Sequence, residues 1–307
     1  MNSTLMMSEI VLPSELAALY MIMSILIIIT NILTLLVFKS MKSLQLQHYL
    51  MICLAAVDLS TVLPHIVGFI CLVRGFLSIN EILCKTISIS NHSVVGLTTW
   101  IHCAIRINKC VSILKPMSHR EFVLKYKPSH LAVAFSLSAF ALILAIMIAA
   151  VIAAVIEPAI DPVLGSCMFT VDFSYVALVG GIFIVIPLLV AIITHTMILI
   201  ELRKSEFRRK RKIIKSMKTV VFVVGIYYLC WVPFLVDMMW TLFALSQPPP
   251  IFSWVAVNFI IANSSMNFFI HFKCSKKFKS KCQSLFSVSC IESRVYPKSR
   301  SIQPSHS

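Results

Sequence analysis

Apolar residues gather into seven stretches, each close to the ~20 residues that a helix needs to cross a bilayer. The stretches cover 17–38, 49–73, 83–108, 131–156, 175–200, 219–244 and 252–272. Within lipid, only helices and closed barrels satisfy every backbone amide. The stretches are continuously apolar, without the alternation of barrel strands. The sequence therefore predicts an all-α membrane protein, with a seven-transmembrane helix bundle over 17–272.

Composition agrees with this prediction. Of 307 residues, 59% are apolar and 13% are charged, and the mean hydropathy is +0.92, far from soluble averages. The nine histidines are scattered, without a His-Glu-x-x-His motif, a Cys-x-x-Cys motif or a close carboxylate pair. We therefore expect neither an enzyme nor a metal centre. The net charge of +15 would favour a nucleic-acid partner in a soluble chain. Here the loops explain it, so no nucleic-acid partner is predicted.

Basic residues lie almost wholly on one side of the predicted bundle. The side shared with the N-terminus carries only Arg74 and Lys85. The other side carries Lys39, Lys42, Lys115, Arg120, Lys125, Lys127 and the basic runs at 201–218 and 272–282. By the positive-inside rule the N-terminus is extracellular and the C-terminus cytoplasmic. We expect a multi-pass plasma-membrane protein whose basic loops also contact anionic lipid headgroups of the bilayer.

The segments outside the bundle have separate expectations. Residues 1–16 form the extracellular N-terminus, where Asn2 begins an N-glycosylation sequon. Residues 273–285 read as a short amphipathic cytoplasmic helix, and the Ser-rich residues 286–307 as a disordered cytoplasmic tail. Cys274, Cys282 and Cys290 lie where acylation is an open question.

Two cysteines lie on the predicted outer face. Cys84 begins the third apolar stretch and Cys167 lies in the loop after the fourth. Because the outer face is oxidising, the two can form a disulfide that tethers this loop to the third helix.

Several motifs follow one another in a recognisable order. Asn31 lies in ITNILTLLVF, Asp58 in LAAVDLS, Pro187 in IVIPLL, Trp231 and Pro233 in CWVPF, and Asn267 in NSSMNFFIHF. With the cysteine pair, they make residues 20–285 resemble a rhodopsin-like (class A) G-protein-coupled receptor. The resemblance implies a small-molecule ligand, a heterotrimeric G protein and arrestin as partners.

A carboxylate within a spanning helix is costly, so Asp58 should face the bundle interior, where polar side chains can form hydrogen bonds with it. The side chains that can reach it are Asn31, Asn263, Ser264 and Asn267. In the family such a cluster binds sodium and rearranges on activation; the alternative is a purely structural hydrogen-bond network. Pro187 and Pro233 interrupt the amide ladders of their helices. Trp231 resembles the family's toggle residue beneath the ligand.

The sequence also departs from the family pattern. Asn108, Lys109 and Cys110 stand in place of the G-protein-facing Asp-Arg-Tyr motif, and the helix 7 motif Asn-Pro-x-x-Tyr reads Asn267-Phe268-Phe269-Ile270-His271. Arg106 has no counterpart in that pattern. Lysine lacks the planar fork of arginine. These changes put normal G-protein activation in doubt.

The resemblance also predicts which residues line a ligand pocket. They are Asn91, His92, Val95, Phe183, Trp231, Phe234, Leu235, Asp237, Met238 and Ile261. This lining is mainly apolar and aromatic with few polar points. Asp237 is either a charged anchor or a solvated surface charge, and His92 is either a packed residue or a ligand contact.

We therefore expect a cell-surface receptor that binds a small, largely apolar ligand and signals to G proteins. One alternative is a constitutively active or decoy receptor-like protein with a weak agonist response. A seven-helix transporter is the other, but the sequence lacks the internal symmetry of inverted repeats.

Overall fold

The computed structural model describes residues 14–64, 66–67, 81–153, 155–161, 166–170, 172–204, 207–243 and 248–291. Asn2, Arg74 and the tail beyond Ile291 lie outside the described residues. The helices on either side of these gaps form one bundle. The predictions for glycosylation at Asn2 and for the far end of the tail therefore stay predictions.

Helices account for nearly all of the described chain. The first five are α1 (Ser14–Lys39), α2 (Leu46–Ser60), α3 (Glu81–Leu114), α4 (Pro116–Lys125) and α5 (Pro128–Ile152). After a hairpin of β1 (Pro158–Asp161) and β2 (Ser166–Phe169), α6 begins with a helical turn at Phe173–Tyr175. It continues through π-helical turns at Val176–Val185 into an α-helix over Ile186–Lys204. The last three helices are α7 (Phe207–Phe243), α8 (Pro250–Cys274) and α9 (Lys276–Ile291).

Six segments are long and apolar enough to cross a membrane. They are Met21–Lys39, Leu46–Pro64, Pro128–Ile152, Phe173–Glu201, Gly225–Phe243 and Pro250–Cys274. The remaining long helix, α3, has 34 residues but carries Asn91, His92, His102 and Arg106. These polar residues lower the mean hydropathy of α3. The helix can carry them because it packs against α2, α5 and α6, which shields much of its surface from lipid. The chain is thus a mostly helical, multi-pass membrane protein.

The bundle closes on itself around α3. Helix α1 packs against α2 and α8, α6 against α7, and α7 against α8. The largest core cluster joins α2, α3, α5, α6, α7 and α8, and includes Ile101, Phe183, Tyr227 and Trp231. Large apolar side chains such as Ile25, Leu137 and Phe243 point away from the core. This outward-facing surface is the arrangement expected of helices solvated by lipid.

Several boundaries differ from the expectation. Helix α3 extends six residues beyond the apolar stretch that ended at 108, and α9 runs to Ile291 instead of 285. The sequence predicted neither α4 nor the β1–β2 hairpin. No residue of α4 is buried, so it carries no apolar period that could reveal it.

Candidate functional site

A disulfide joins Cys84 at the start of α3 to Cys167 in β2, with 5.2 Å between the Cα atoms. This confirms the predicted bridge. In the hairpin, Ile160 of β1 lies opposite Cys167, so the bridge holds both strands against the same end of α3. Two residues later, the ring of Phe169 packs on His92, with 4.8 Å between centroids. The hairpin therefore contributes side chains to the bundle interior.

Below the hairpin lies a cavity between α2, α3, α6, α7 and α8. It is lined by Thr61, Asn91, His92, Val95, Thr98, Thr99, Tyr175, Val179, Phe183, Trp231, Phe234, Val257, Ile260, Ile261, Asn263 and Ser264. The polar members are hydroxyls, amides, an imidazole and an indole. No carboxylate, lysine or arginine is among these lining residues, so the cavity suits an uncharged molecule.

The structure brings seven of the ten predicted pocket residues to this cavity. They are Asn91, His92, Val95, Phe183, Trp231, Phe234 and Ile261. Leu235, Asp237 and Met238 are absent from the lining. Met238 is almost fully buried, Leu235 borders an exposed apolar groove, and Asp237 accepts a 2.6 Å hydrogen bond from the Ser253 hydroxyl of α8.

Some lining residues were missed from the sequence. Thr98 and Thr99 follow Asn91 and Val95 at helical spacing along α3, which is a signal that could have found them. Tyr175 carried no such signal, because it lies in the short turn that begins α6. Its placement depends on Asp172, whose side chain caps this turn by accepting a 2.7 Å bond from the Tyr175 amide.

His92 is tied to two partners. Its Nδ1 lies 2.9 Å from the Ser88 carbonyl and its Nε2 lies 3.0 Å from the Tyr175 hydroxyl. A carbonyl can only accept, so Nδ1 carries the proton and Nε2 accepts from Tyr175. His92 is therefore both a hydrogen-bonded packing residue and a part of the cavity wall, and its two ring nitrogens are already engaged.

Trp231 forms part of the cavity wall that α7 contributes. Its ring lies 5.8 Å from that of Tyr227 and 6.1 Å from that of Phe234. The Tyr227 hydroxyl donates to the Phe183 carbonyl of α6 at 3.2 Å and lies 3.0 Å from the Thr99 hydroxyl of α3. Tyr227 thus links α7 to α3 and α6 next to Trp231. Trp231 itself lies two residues before Pro233 inside α7.

Asp58 forms a polar network beside the cavity. The carboxylate is completely buried and accepts hydrogen bonds from Thr98 at 3.3 Å and from the Asn267 amide at 3.1 Å. Ser264 lies beside the same carboxylate, and the Asn31 amide donates to the Ser264 carbonyl at 3.2 Å. Asn263 faces the cavity instead.

The chemistry of this network fits a sodium ion. Hard monovalent cations take oxygen ligands, and Asp58, Thr98 and Ser264 offer a carboxylate and two hydroxyls. These three residues would hold the ion, which would neutralise the buried carboxylate. Among the described residues, no group of three or more His, Cys, Asp or Glu side chains could hold another metal.

The opposite end of α3 carries Asn108, Lys109 and Cys110. The Asn108 Oδ1 accepts a 2.8 Å hydrogen bond from His119 Nε2 of α4. Partial burial lowers the pKa of His119. Lys109 is half-buried, and Cys110 is buried with its sulfur 3.7 Å from the Thr194 carbonyl of α6. The Asn108 side chain therefore makes a hydrogen bond to α4 and not to Lys109.

Comparison with known proteins gives a family. A search of curated protein sequences found no match. A family model, the 7 transmembrane receptor (rhodopsin family), matches residues 30–271. The match covers most of the chain, including the polar network, the lining of the cavity and the disulfide. The protein is therefore a member of the rhodopsin family of seven-transmembrane receptors.

Proposed function

We propose that the protein is a cell-surface receptor that binds a small, uncharged and largely apolar ligand and signals to heterotrimeric G proteins. In this proposal α3 also crosses the membrane, as the third of seven transmembrane helices in chain order. The N-terminus and the disulfide are extracellular, and α9 lies along the cytoplasmic face. The ligand occupies the cavity beneath the hairpin. The side chains of Asn108, Lys109 and Cys110 face the G protein, with arrestin as a further partner of that surface.

The observation that carries the proposal is the chemistry of the cavity lining. Aromatic and aliphatic side chains dominate it, and its polar groups are neutral. Small-ligand sites usually combine such a wall with a few orienting hydrogen-bonding groups. Asn91 and Asn263 supply amides that can both donate and accept. A cationic amine would find no counter-ion among the lining residues, which favours a neutral ligand.

The test compares two Val→Phe variants in transfected cells, with surface expression measured. Val95→Phe fills the cavity, whereas Val133→Phe makes the same change on α5, where Val133 is 49% exposed on the outside of the bundle. A panel of neutral lipophilic compounds is screened for evoked second messengers. We expect Val95→Phe to abolish a response that Val133→Phe preserves. A response equal in both variants would place the ligand elsewhere.

Orientation is tested in the same cells. Because basic residues are concentrated in the loops proposed to be cytoplasmic, an epitope tag after Met1 should label on intact cells. A tag after Ser307 should label only after permeabilisation. The reverse pattern would overturn the orientation and, with it, the extracellular placement of the disulfide.

A second candidate is a constitutively active or decoy receptor. The observation that favours it is that Asn, and not a carboxylate, precedes Lys109 on α3, and that the Asn108 side chain is engaged by His119 of α4. High signalling without ligand, unchanged by Val95→Phe, would support a constitutively active receptor. Ligand binding without any second-messenger change would support a decoy.

A further inference from the structure

Arg106 is a buried cation in the half of the bundle away from the disulfide. Only 3% of it is exposed, and its Cζ lies 5.3 Å from the ring centroid of Tyr227 and 6.0 Å from that of Tyr228. None of its three guanidinium nitrogens has a hydrogen-bond partner among the described residues. The aromatic faces attract the cation but supply no oxygen acceptor to its N–H groups.

The guanidinium of Arg106 carries a positive charge. A buried charge is retained when it is paired or neutralised. Asp58 is the buried carboxylate of the bundle interior, and it is committed to Thr98 and Asn267. The described part of the chain therefore supplies Arg106 with no anion.

Two further hydrogen-bonding groups near Arg106 also lack a partner. The Tyr228 hydroxyl lies beside the guanidinium, but no hydrogen bond of ordinary geometry joins the two groups. His102 is one helical turn away on α3, within electrostatic range of Arg106 and His271, and its buried Nε2 has no partner. An imidazole and a phenol can each donate one hydrogen bond. Together with the guanidinium they form a cluster of hydrogen-bond donors that contains no anionic group.

We propose that Arg106, Tyr228 and His102 form a binding site for a small monovalent anion of the chloride type, between α3 and α7. The anion accepts hydrogen bonds from the guanidinium, the Tyr228 hydroxyl and the His102 Nε2–H. It neutralises the guanidinium and links the two helices. The site is separate from the ligand cavity, whose lining contains none of these three residues.

The test measures the thermal stability of the purified full chain in lipid nanodiscs. Chloride is titrated against gluconate, a much larger anion, at constant sodium concentration so that the Asp58 network is unaffected. An anion that binds only the folded state raises the melting temperature according to its free concentration and dissociation constant. We expect a saturable rise of several degrees in the unmodified protein.

Three variants locate the effect. Arg106→Met should remove the chloride dependence, and Tyr228→Phe, which keeps the ring and removes the hydroxyl, should raise the chloride midpoint several-fold. Lys109→Met is the matched control, since it removes a half-buried cation from the same helix. It should leave the midpoint unchanged.

Each alternative outcome overturns the proposal. A melting temperature independent of chloride means that water alone satisfies the cluster. A chloride effect that Arg106→Met retains, or that Lys109→Met removes equally, is a general salt effect. If Arg106→Met does not fold, Tyr228→Phe decides the matter, because an unchanged midpoint in that variant contradicts the assigned hydroxyl.

Discussion

Gly96 allows Phe183 to pack directly on α3, and adding one methyl group there tests the wall of the cavity. An alanine Cβ at position 96 would lie 2.5 Å from Phe183 Cε1, 2.8 Å from Phe183 Cζ and 3.2 Å from Ile143 Cγ2. Ordinary contact begins at 3.4 Å, so the ring would have to move by about 0.9 Å. Phe183 is 1% exposed, which leaves it little room to do so.

We expect Gly96→Ala to destabilise the protein by about 1–3 kcal/mol, the usual cost of overpacking a core. The assay is thermal unfolding of the purified protein in nanodiscs. Gly225→Ala is the matched control, because a Cβ there meets nothing within 4 Å. Since alanine favours a helix by up to about 1 kcal/mol over glycine, this control should be neutral or stabilising.

A double variant identifies the clash. Phe183→Leu removes the two ring atoms that an alanine at position 96 would meet, so Gly96→Ala should cost much less in that background. The coupling should be on the order of 1–2 kcal/mol. If Gly96→Ala is as harmless as Gly225→Ala, or if its cost is the same with Leu at 183, the close approach of Phe183 to α3 is refuted.

Three further predictions concern the disulfide, the cavity wall and the end of α3 that carries Asn108. The bridge between Cys84 and Cys167 closes 83 residues, for which the chain-entropy model gives about 4.5 kcal/mol, an upper bound because the intervening helices stay in the bilayer. Either Cys→Ser variant should lose surface expression to a similar degree and the double variant should be hardly worse, whereas additive losses would contradict a shared bond. Trp231→Ala should reduce the evoked response more than ligand binding, and equal losses would indicate simple packing. Asn108→Asp should lower basal signalling about two- to fivefold and Lys109→Arg should raise the maximum; no change in either, at normal expression, would favour a decoy.

The sequence predicted the bundle and the disulfide because both follow from patterns that extend along the whole chain. Lipid solvation requires long apolar runs, and the placement of Cys84 and Cys167 followed from the sidedness of the charges. The β1–β2 hairpin and α4 escaped prediction for the opposite reason. The hairpin is held against α3 through Cys167, and α4 buries no residue, so neither leaves a periodic signal.

The predicted pocket residues overlap with the cavity lining, and those that lie outside the cavity all belong to one helix. Residues of α3 that were assigned to the pocket do line the cavity. On α7, Trp231 and Phe234 line it, but Leu235, Asp237 and Met238, all beyond Pro233, do not. A proline inside a helix removes a hydrogen bond and changes the local winding. Each residue turns the helix by about 100°, so a small change of winding moves a side chain to another face.

The two buried charges of the interior raise the question of whether they could neutralise each other. Thr98 contacts Asp58, and Arg106 lies eight residues further along α3, which corresponds to about 12 Å of rise. At an effective dielectric constant of about 20, opposite unit charges at that distance attract by only about 1.4 kcal/mol. Burial costs several kcal/mol for each ion, so this attraction cannot sustain both. The carboxylate layer is rich in oxygen ligands and the guanidinium layer is rich in donors, which is why the proposed anion site beside Arg106 is separate from a cation site beside Asp58.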